Sequence, residues 1–265
     1  MIDSPPSPTL ERTGPFVPDG WRSLVEPLCE LKEALDHAVR WPEHMPRHGR
    51  AAQVLATHGL TLQQAAALRT SHLPDRFARH LLGDWFAATG EPVGTWERSS
   101  LPPWCTLGWV RKDAYRLTPE RPQARLRALV DELHADPEAM DATAYGLAGI
   151  PLFWAGEGKN RCQLYRLAGR ARVGRLSLYP APDLSAWRLA PVMGARQVVA
   201  LIAPDGRVQL LPFGRASRPL LLALGVTWRP WPVLRPWIES LQRGQPMPHV
   251  QAEYRLRASI LAPAD

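Results

Sequence analysis

The sequence predicts an α+β protein: a helical N-terminal region followed by a small mixed β-sheet with flanking helices. Three observations carry this. Apolar residues recur at helical spacing over residues 21–39, 51–58, 62–69 and 74–86. Beyond residue 105 the pattern turns to short apolar or alternating runs, at 107–110, 114–117, 150–154, 173–179, 198–203 and 208–212. Helical segments remain interspersed there, at 123–134, 137–147 and 159–169. The expected organisation is an arm over 1–19, a helical domain over 20–104, a sheet-containing domain over 105–215 and a Trp/Pro-rich extension over 216–265.

Taken in order, residues 1–19 hold five prolines and few large apolar groups, the composition of a disordered arm. The first helix buries Leu24, Val25, Leu28, Leu31, Leu35 and Ala38 on one side, with Pro27 expected in its first turn, where proline is tolerated. The helices at 62–69 and 74–86 faintly resemble a helix-turn-helix, although Pro74-Asp75-Arg76 is an unusual opening for a DNA reader. Residues 87–108 are rich in Gly, Pro, Ser and Trp and read as a boundary loop. The helix at 123–134 carries an apolar stripe of Leu126, Leu129, Val130 and Leu133. Asp205-Gly206 between two apolar runs is the clearest hairpin signal in the chain. The Trp/Pro-rich segment from Trp228 to Trp237 leads into a short helix expected over 238–242.

Composition excludes several classes. No apolar run approaches the roughly 18–20 residues of a membrane-spanning helix, and the first residues lack the basic and apolar regions of a signal peptide. Three widely spaced cysteines, Cys29, Cys105 and Cys162, form neither a disulfide framework nor a paired-cysteine metal site. A cytoplasmic location is the expectation. The formal net charge is +7, and it is uneven. Residues 1–109 hold 10 basic against 12 acidic side chains, while residues 110–265 hold 22 against 13. That surplus permits a polyanionic partner, although an Arg-to-Lys ratio of 29 to 3 also fits a general compositional bias.

The histidines do not assemble a metal site: His44 and His48 are split by Pro46, and His72 and His80 lie eight apart. No H-E-x-x-H, G-x-S-x-G or Walker A motif is present.

The stretch with most chemical content is 150–175. An apolar strand breaks at Gly156-Glu157-Gly158, and a helix opens at Lys159 or Asn160 and stops at Gly169. Six cationic side chains and no acid lie between Gly158 and Arg175. A glycine turn running into a helix start aims backbone N–H groups and the positive end of the helix dipole at one point, which suits a phosphate. Gly156, Gly158, Lys159, Asn160 and Arg161 are therefore the candidate phosphate-binding residues, with Asn160 as helix cap. Glu157 is the candidate catalytic carboxylate, as a general base or a ligand for magnesium. Arg166, Arg170, Arg172 and Arg175 are candidates for contact with nucleic acid. Asp113 and Asp131 are further carboxylates, read first as surface charges. Cys162, in the first turn of the basic helix, is either a thiol activated by that position or a buried inert one.

A helix, a short strand, a glycine turn, a G-x-x-R opening to a basic helix and then a strand: this order resembles the ParB/sulfiredoxin-like superfamily over residues 108–182. There a motif such as G-E-R-R or G-x-H-R opens the helix and holds nucleotide phosphates, and Gly158, Lys159, Asn160 and Arg161 match it. The resemblance implies a nucleoside triphosphate, CTP or ATP, with Mg2+, and a role in DNA maintenance or on a mobile element. Three departures narrow it. No DNA-reading module follows the helix; Cys162 comes after Arg161 where sulfiredoxins place a thiol before the His-Arg pair; and the motif has no central histidine. Two other readings stay open, a ParB-like nuclease or toxin whose basic helix grips DNA, and a non-enzymatic DNA-binding or protein-interaction module.

Overall fold

The computed structural model describes residues 15, 17–40, 49–67, 73–86, 90–97, 99, 101–109, 128, 131, 142–167, 169, 174–193 and 195–230. The expected arm, the strand at 114–117, the helices at 123–134 and 238–242, and Arg170, Arg172 and Asp113 lie outside or almost wholly outside them. Among the described residues nine strands form two sheets, accompanied by six α-helices, so the class is α+β as expected.

After one 3-10 turn (Asp19–Trp21), the chain forms α1 (Arg22–Arg40), α2 (Gly49–Thr57), α3 (Leu62–Ala67) and α4 (Pro74–Leu82). Helix α1 starts within one residue of the expected position, and Pro27, its sixth residue, lies inside it beyond the first turn where it was expected. Helix α3 opens with a reciprocal cap: the Gln64 amide donates to Thr61 Oγ1 (3.1 Å), and the Thr61 amide donates to Gln64 Oε1 (2.9 Å). The helix expected to run to residue 86 stops at Gly83, whose φ of +104° breaks the helical path, and a 3-10 turn (Asp84–Phe86) follows.

The first sheet holds β1 (Gly94–Glu97), β2 (Thr106–Leu107), β3 (Thr143–Leu147), β4 (Ile150–Ala155) and β5 (Arg175–Tyr179), in the order β1-β5-β3-β4-β2. Strands β3 and β4 form an antiparallel hairpin; β5 runs parallel to β3, and β2 parallel to β4. Between β4 and β5 lies α5 (Lys159–Leu167). The second sheet, ordered β8-β7-β6-β9, consists of β6 (Arg188–Val192), β7 (Ala195–Ile202), β8 (Val208–Leu211) and β9 (Thr227–Trp228), with α6 (Gly214–Ala223) packed on β7. The predicted Asp-Gly hairpin joins β7 to β8, with Gly206 at φ +83° and the Arg207 amide donating to Asp205 Oδ1 (3.1 Å).

Two expectations are corrected here. Residues 143–147, expected as the end of a helix, form β3: Ala144 and Gly146 face inward, and both edges of the strand are hydrogen-bonded, to β4 and β5. Sheet pairing overrides local helical propensity at such a site. Residues 94–97, expected as loop, form the edge strand β1.

A shared core joins the helices to both sheets. Val25, Leu28, Leu31 and Leu35 of α1 belong to one apolar cluster with Phe77 and Leu81 of α4, Leu152 and Phe153 of β4, and Leu201 and Leu211 of the second sheet. Phe77 meets Phe213 at 5.3 Å between ring centres, and Phe86 meets Trp187 at 5.7 Å. The expected boundaries at 104/105 and 215/216 therefore fall inside one core. Helix α4 buries six of its nine residues, with Phe77, Ala78, Leu81 and Leu82 in that core, and leaves Arg76 and Arg79 exposed.

Candidate functional site

Strand β4 is buried along its whole length and lies between β3 and β2, so its C-terminal end is fixed from both sides. The Gly156-Glu157-Gly158 turn leaves it directly. The Gly156 amide donates to the Thr143 carbonyl (2.8 Å), and the Thr143 amide donates to the Glu157 carbonyl (3.2 Å), so the turn is clasped to the start of β3. Gly158 adopts φ +63°, and a Cβ there would lie 2.8 Å from Ala142 Cα and 2.9 Å from its Cβ. Both the conformation and the close approach require glycine. The Ala142 carbonyl accepts from Gly174 (2.8 Å) and Arg175 (3.1 Å), so the turn, β3 and the entry to β5 converge on this one residue.

Helix α5 begins at Lys159. The residue before the helix is Gly158, and Asn160 lies inside the first turn, so the expected capping role of Asn160 is corrected. The Cys162 amide closes that turn on the Gly158 carbonyl (3.0 Å). Glu157 is exposed, while Gly156, Gly158, Lys159, Asn160 and Arg161 are half-buried. Below them Cys162, Gln163, Leu164 and Tyr165 are buried, which anchors the helix. Gly169 ends it as expected, at φ +67° with its amide on the Arg166 carbonyl (3.0 Å). The sequence-predicted cluster of Gly156, Glu157, Gly158, Lys159, Asn160 and Arg161 is thus one continuous surface feature at the end of a buried strand.

The proposed nucleic-acid residues do not share one surface role. Arg166 lies at the other end of α5, with its side chain only 10 % exposed. Its Nη1 donates to the Pro103 carbonyl (2.9 Å), and its Nη2 stands 3.7 Å from a Glu33 carboxylate oxygen on α1. Burial pushes the Glu33 carboxyl up, and the Arg166 charge draws it back down. Arg166 is a structural tie. Arg166→Met is expected to lower stability by about 1.5–3 kcal/mol, the scale of a hydrogen bond made by a charged group, while nucleic-acid affinity and its salt dependence stay unchanged; urea unfolding and a binding titration check the two. Arg175 is exposed on β5 and pairs with Glu97 of β1 at 3.4 Å. Asp131 is exposed.

A cleft of about 720 Å³ adjoins the Arg166 end of α5, away from the glycine turn. Its charged lining is largely self-paired: Arg22 with Glu26 (2.9 Å), Arg50 with Glu30 (2.5 Å) and Arg166 with Glu33. The glycine turn is the better candidate site because its Lys159 ammonium has no such partner among the described residues.

All three thiols are buried. Burial pushes Cys29 up to about 11 and Cys162 up to about 12, against an ordinary value of 9.0, and pushes Cys105 up as well. Of the two readings of Cys162, the buried thiol is the one observed; Arg161 and Lys159 lower its value by less than burial raises it. The folded state holds these protons and the unfolded chain releases them from about pH 9 upward, so the contribution is full below that pH and is lost on going higher. Stability is expected to fall by about 1.4 kcal/mol per thiol per pH unit between pH 9 and 11. Urea titrations across that range check it, together with a disulfide reagent that reacts at pH 8 only after unfolding.

Sequence reading missed the groups that hold α5 from its other side. The Trp109 amide donates to the Lys159 carbonyl (3.0 Å), and Gly108 lies so close that a Cβ would stand 2.5 Å from the Gln163 amide nitrogen. Lys32, itself 1 % exposed, donates to the Gly108 carbonyl (3.3 Å) and to both oxygens of Asp36 (2.7 and 2.6 Å). The available signal was a Lys-x-x-x-Asp pair among the buried residues of α1. Among the described residues no cluster of three or more His, Cys, Asp or Glu is placed to hold a metal ion, and His80 is a core residue against Phe213. Among them, too, no helix is long and apolar enough to cross a membrane.

The chain matches no protein-family model, no curated protein and no solved structure.

Proposed function

We propose that this chain binds a nucleoside triphosphate, CTP or ATP with Mg2+, or a phosphate of nucleic acid, at the Gly156–Arg161 turn. One observation carries the reading: a wholly buried strand ends in a glycine turn that only glycine fits and delivers Lys159 and Arg161 on the first turn of α5. Glycine at 158 lets the turn close on Ala142 and so fixes the helix start; the helix dipole favours negative charge there, and the two cations add charge-assisted bonds. The run of β4, glycine turn, α5 and β5 is the part of the ParB/sulfiredoxin-like order that supports this reading, while β3 stands where the end of a helix was expected.

The residues present suit the phosphate better than a resident metal. Glu157 is one exposed carboxylate, which fits a magnesium ion that arrives on the nucleotide and keeps most of its own waters. The nucleotide supplies the phosphoanhydride; Lys159 and Arg161 bind and orient its oxygens, and Glu157 accepts a proton from the water whose oxygen bonds to the terminal phosphorus as the P–O bond to the diphosphate breaks, so that phosphate and the nucleoside diphosphate leave. The tie of Arg166 to Pro103 and Glu33 weighs against the reading in which α5 grips DNA along its length.

Thermal-shift measurements with CTP, ATP and GTP, each with magnesium, test the proposal. A stabilisation that disappears in Lys159→Ala and in Arg161→Ala is expected. Glu157→Gln is expected to keep binding and to lose at least tenfold in phosphate release. Plasmid left intact by high protein concentration with Mg2+ or Mn2+ is the expected result against the nuclease reading.

A further inference from the structure

We infer that Lys32 is a positioning residue for the phosphate site, acting through a clamp of Gly108 and Trp109 on the first turn of α5. This rests on the reading of Gly156–Arg161 as the place where phosphate binds. The ammonium of Lys32 is buried on α1 beside the fully buried Leu28, Leu31 and Leu35. Asp36 neutralises it from the next helical turn. A buried ion pair roughly breaks even against an apolar pair of the same volume, so its contribution to stability does not account for this arrangement. What an apolar pair lacks is a directional donor, and here that donor reaches 76 residues along the chain to the Gly108 carbonyl.

The consequences follow along the backbone. Gly108 stands on α5 so closely that a methyl group would meet Gln163 N at 2.5 Å and Gln163 Cα at 2.7 Å. The next amide, Trp109, bonds the carbonyl of Lys159, the first residue of α5. On the turn's other side stands Ala142, against Gly158. The start of α5 is therefore held between two backbone contacts, and Lys32 fixes one of them from beneath. Without that tether the Gly108–Trp109 segment loses its fixed height on α5, and the backbone that presents Lys159 and Arg161 is no longer preorganised for an anion.

The discriminating variant is Lys32→Met with Asp36→Leu, which removes the tether together with the carboxylate that neutralises it. In a calorimetric titration with magnesium CTP and magnesium ATP, the folded double variant is expected to bind at least tenfold more weakly than the wild type. Its Trp109 amide is expected to exchange with solvent at least tenfold faster, while exchange in β3 and β4 stays unchanged. Equal affinity in wild type and folded double variant overturns the role of Lys32. Absence of binding to the wild type removes the phosphate reading itself, which is a different result. If the double variant does not fold, the wild type decides by hydrogen exchange: saturating nucleotide is expected to slow Trp109 together with the first turn of α5. Protection of that turn with no change at Trp109 overturns the clamp.

Discussion

Lys32→Met is expected to lower the stability of the chain by about 3–5 kcal/mol, the cost of breaking a buried ion pair by removing one member. The side chains of Lys32 and Asp36 are 2 % and 8 % exposed, so the carboxylate left behind has little access to water. Adding Asp36→Leu is expected to recover most of the loss, because the two apolar side chains join Leu28, Leu31 and Leu35 in the existing core. Urea unfolding of the single and double variants checks both statements. A single variant as stable as the wild type would contradict the first.

Gly158→Ala is expected to cost about 2–5 kcal/mol, combining about 1–2 kcal/mol for a left-handed residue other than glycine with about 1–3 kcal/mol of overpacking. The new methyl group would meet Ala142 at 2.8 and 2.9 Å, and Ala142 has no room to yield because its carbonyl holds the entry to β5. Gly149 supplies the control. It has φ +77° in the β3–β4 turn with open space where a Cβ would stand, so Gly149→Ala carries the conformational cost alone. The difference between the two variants in thermal or urea unfolding isolates the steric part. Nucleotide binding is expected to be lost in Gly158→Ala and kept in Gly149→Ala.

How much of this was legible in the sequence depends on the range of the interaction involved. The β4–turn–α5 unit could be read because its signals are local: an apolar run, two glycines, a helical stripe and Gly169 as the stop. The Asp205-Gly206 hairpin was legible for the same reason. Strand β1 was not, because Gly94–Glu97 is four residues long and exists through pairing with β5, far along the chain. Strand β6 escaped notice because Pro191 interrupts its pattern, at the irregularity where the register with β7 shifts. Residues 143–147 satisfy a helical pattern equally well in isolation, and only their two neighbouring strands decide otherwise. At the site, the charges and glycines were visible, while the fate of each arginine was not. Arg166 and Arg175 look alike in sequence, yet one is spent inside a cleft on Pro103 and Glu33 and the other sits exposed on β5. The tether from Lys32 to Gly108 joins parts of the chain that no periodicity relates.

The most direct test of the account is calorimetric titration of the full chain with magnesium CTP and magnesium ATP, beside Lys159→Ala and Arg161→Ala. The account predicts saturable binding of at least one nucleotide by the wild type, weakened at least tenfold in either variant. No heat of binding from either nucleotide with a folded wild-type protein, or binding that both variants retain in full, would contradict it.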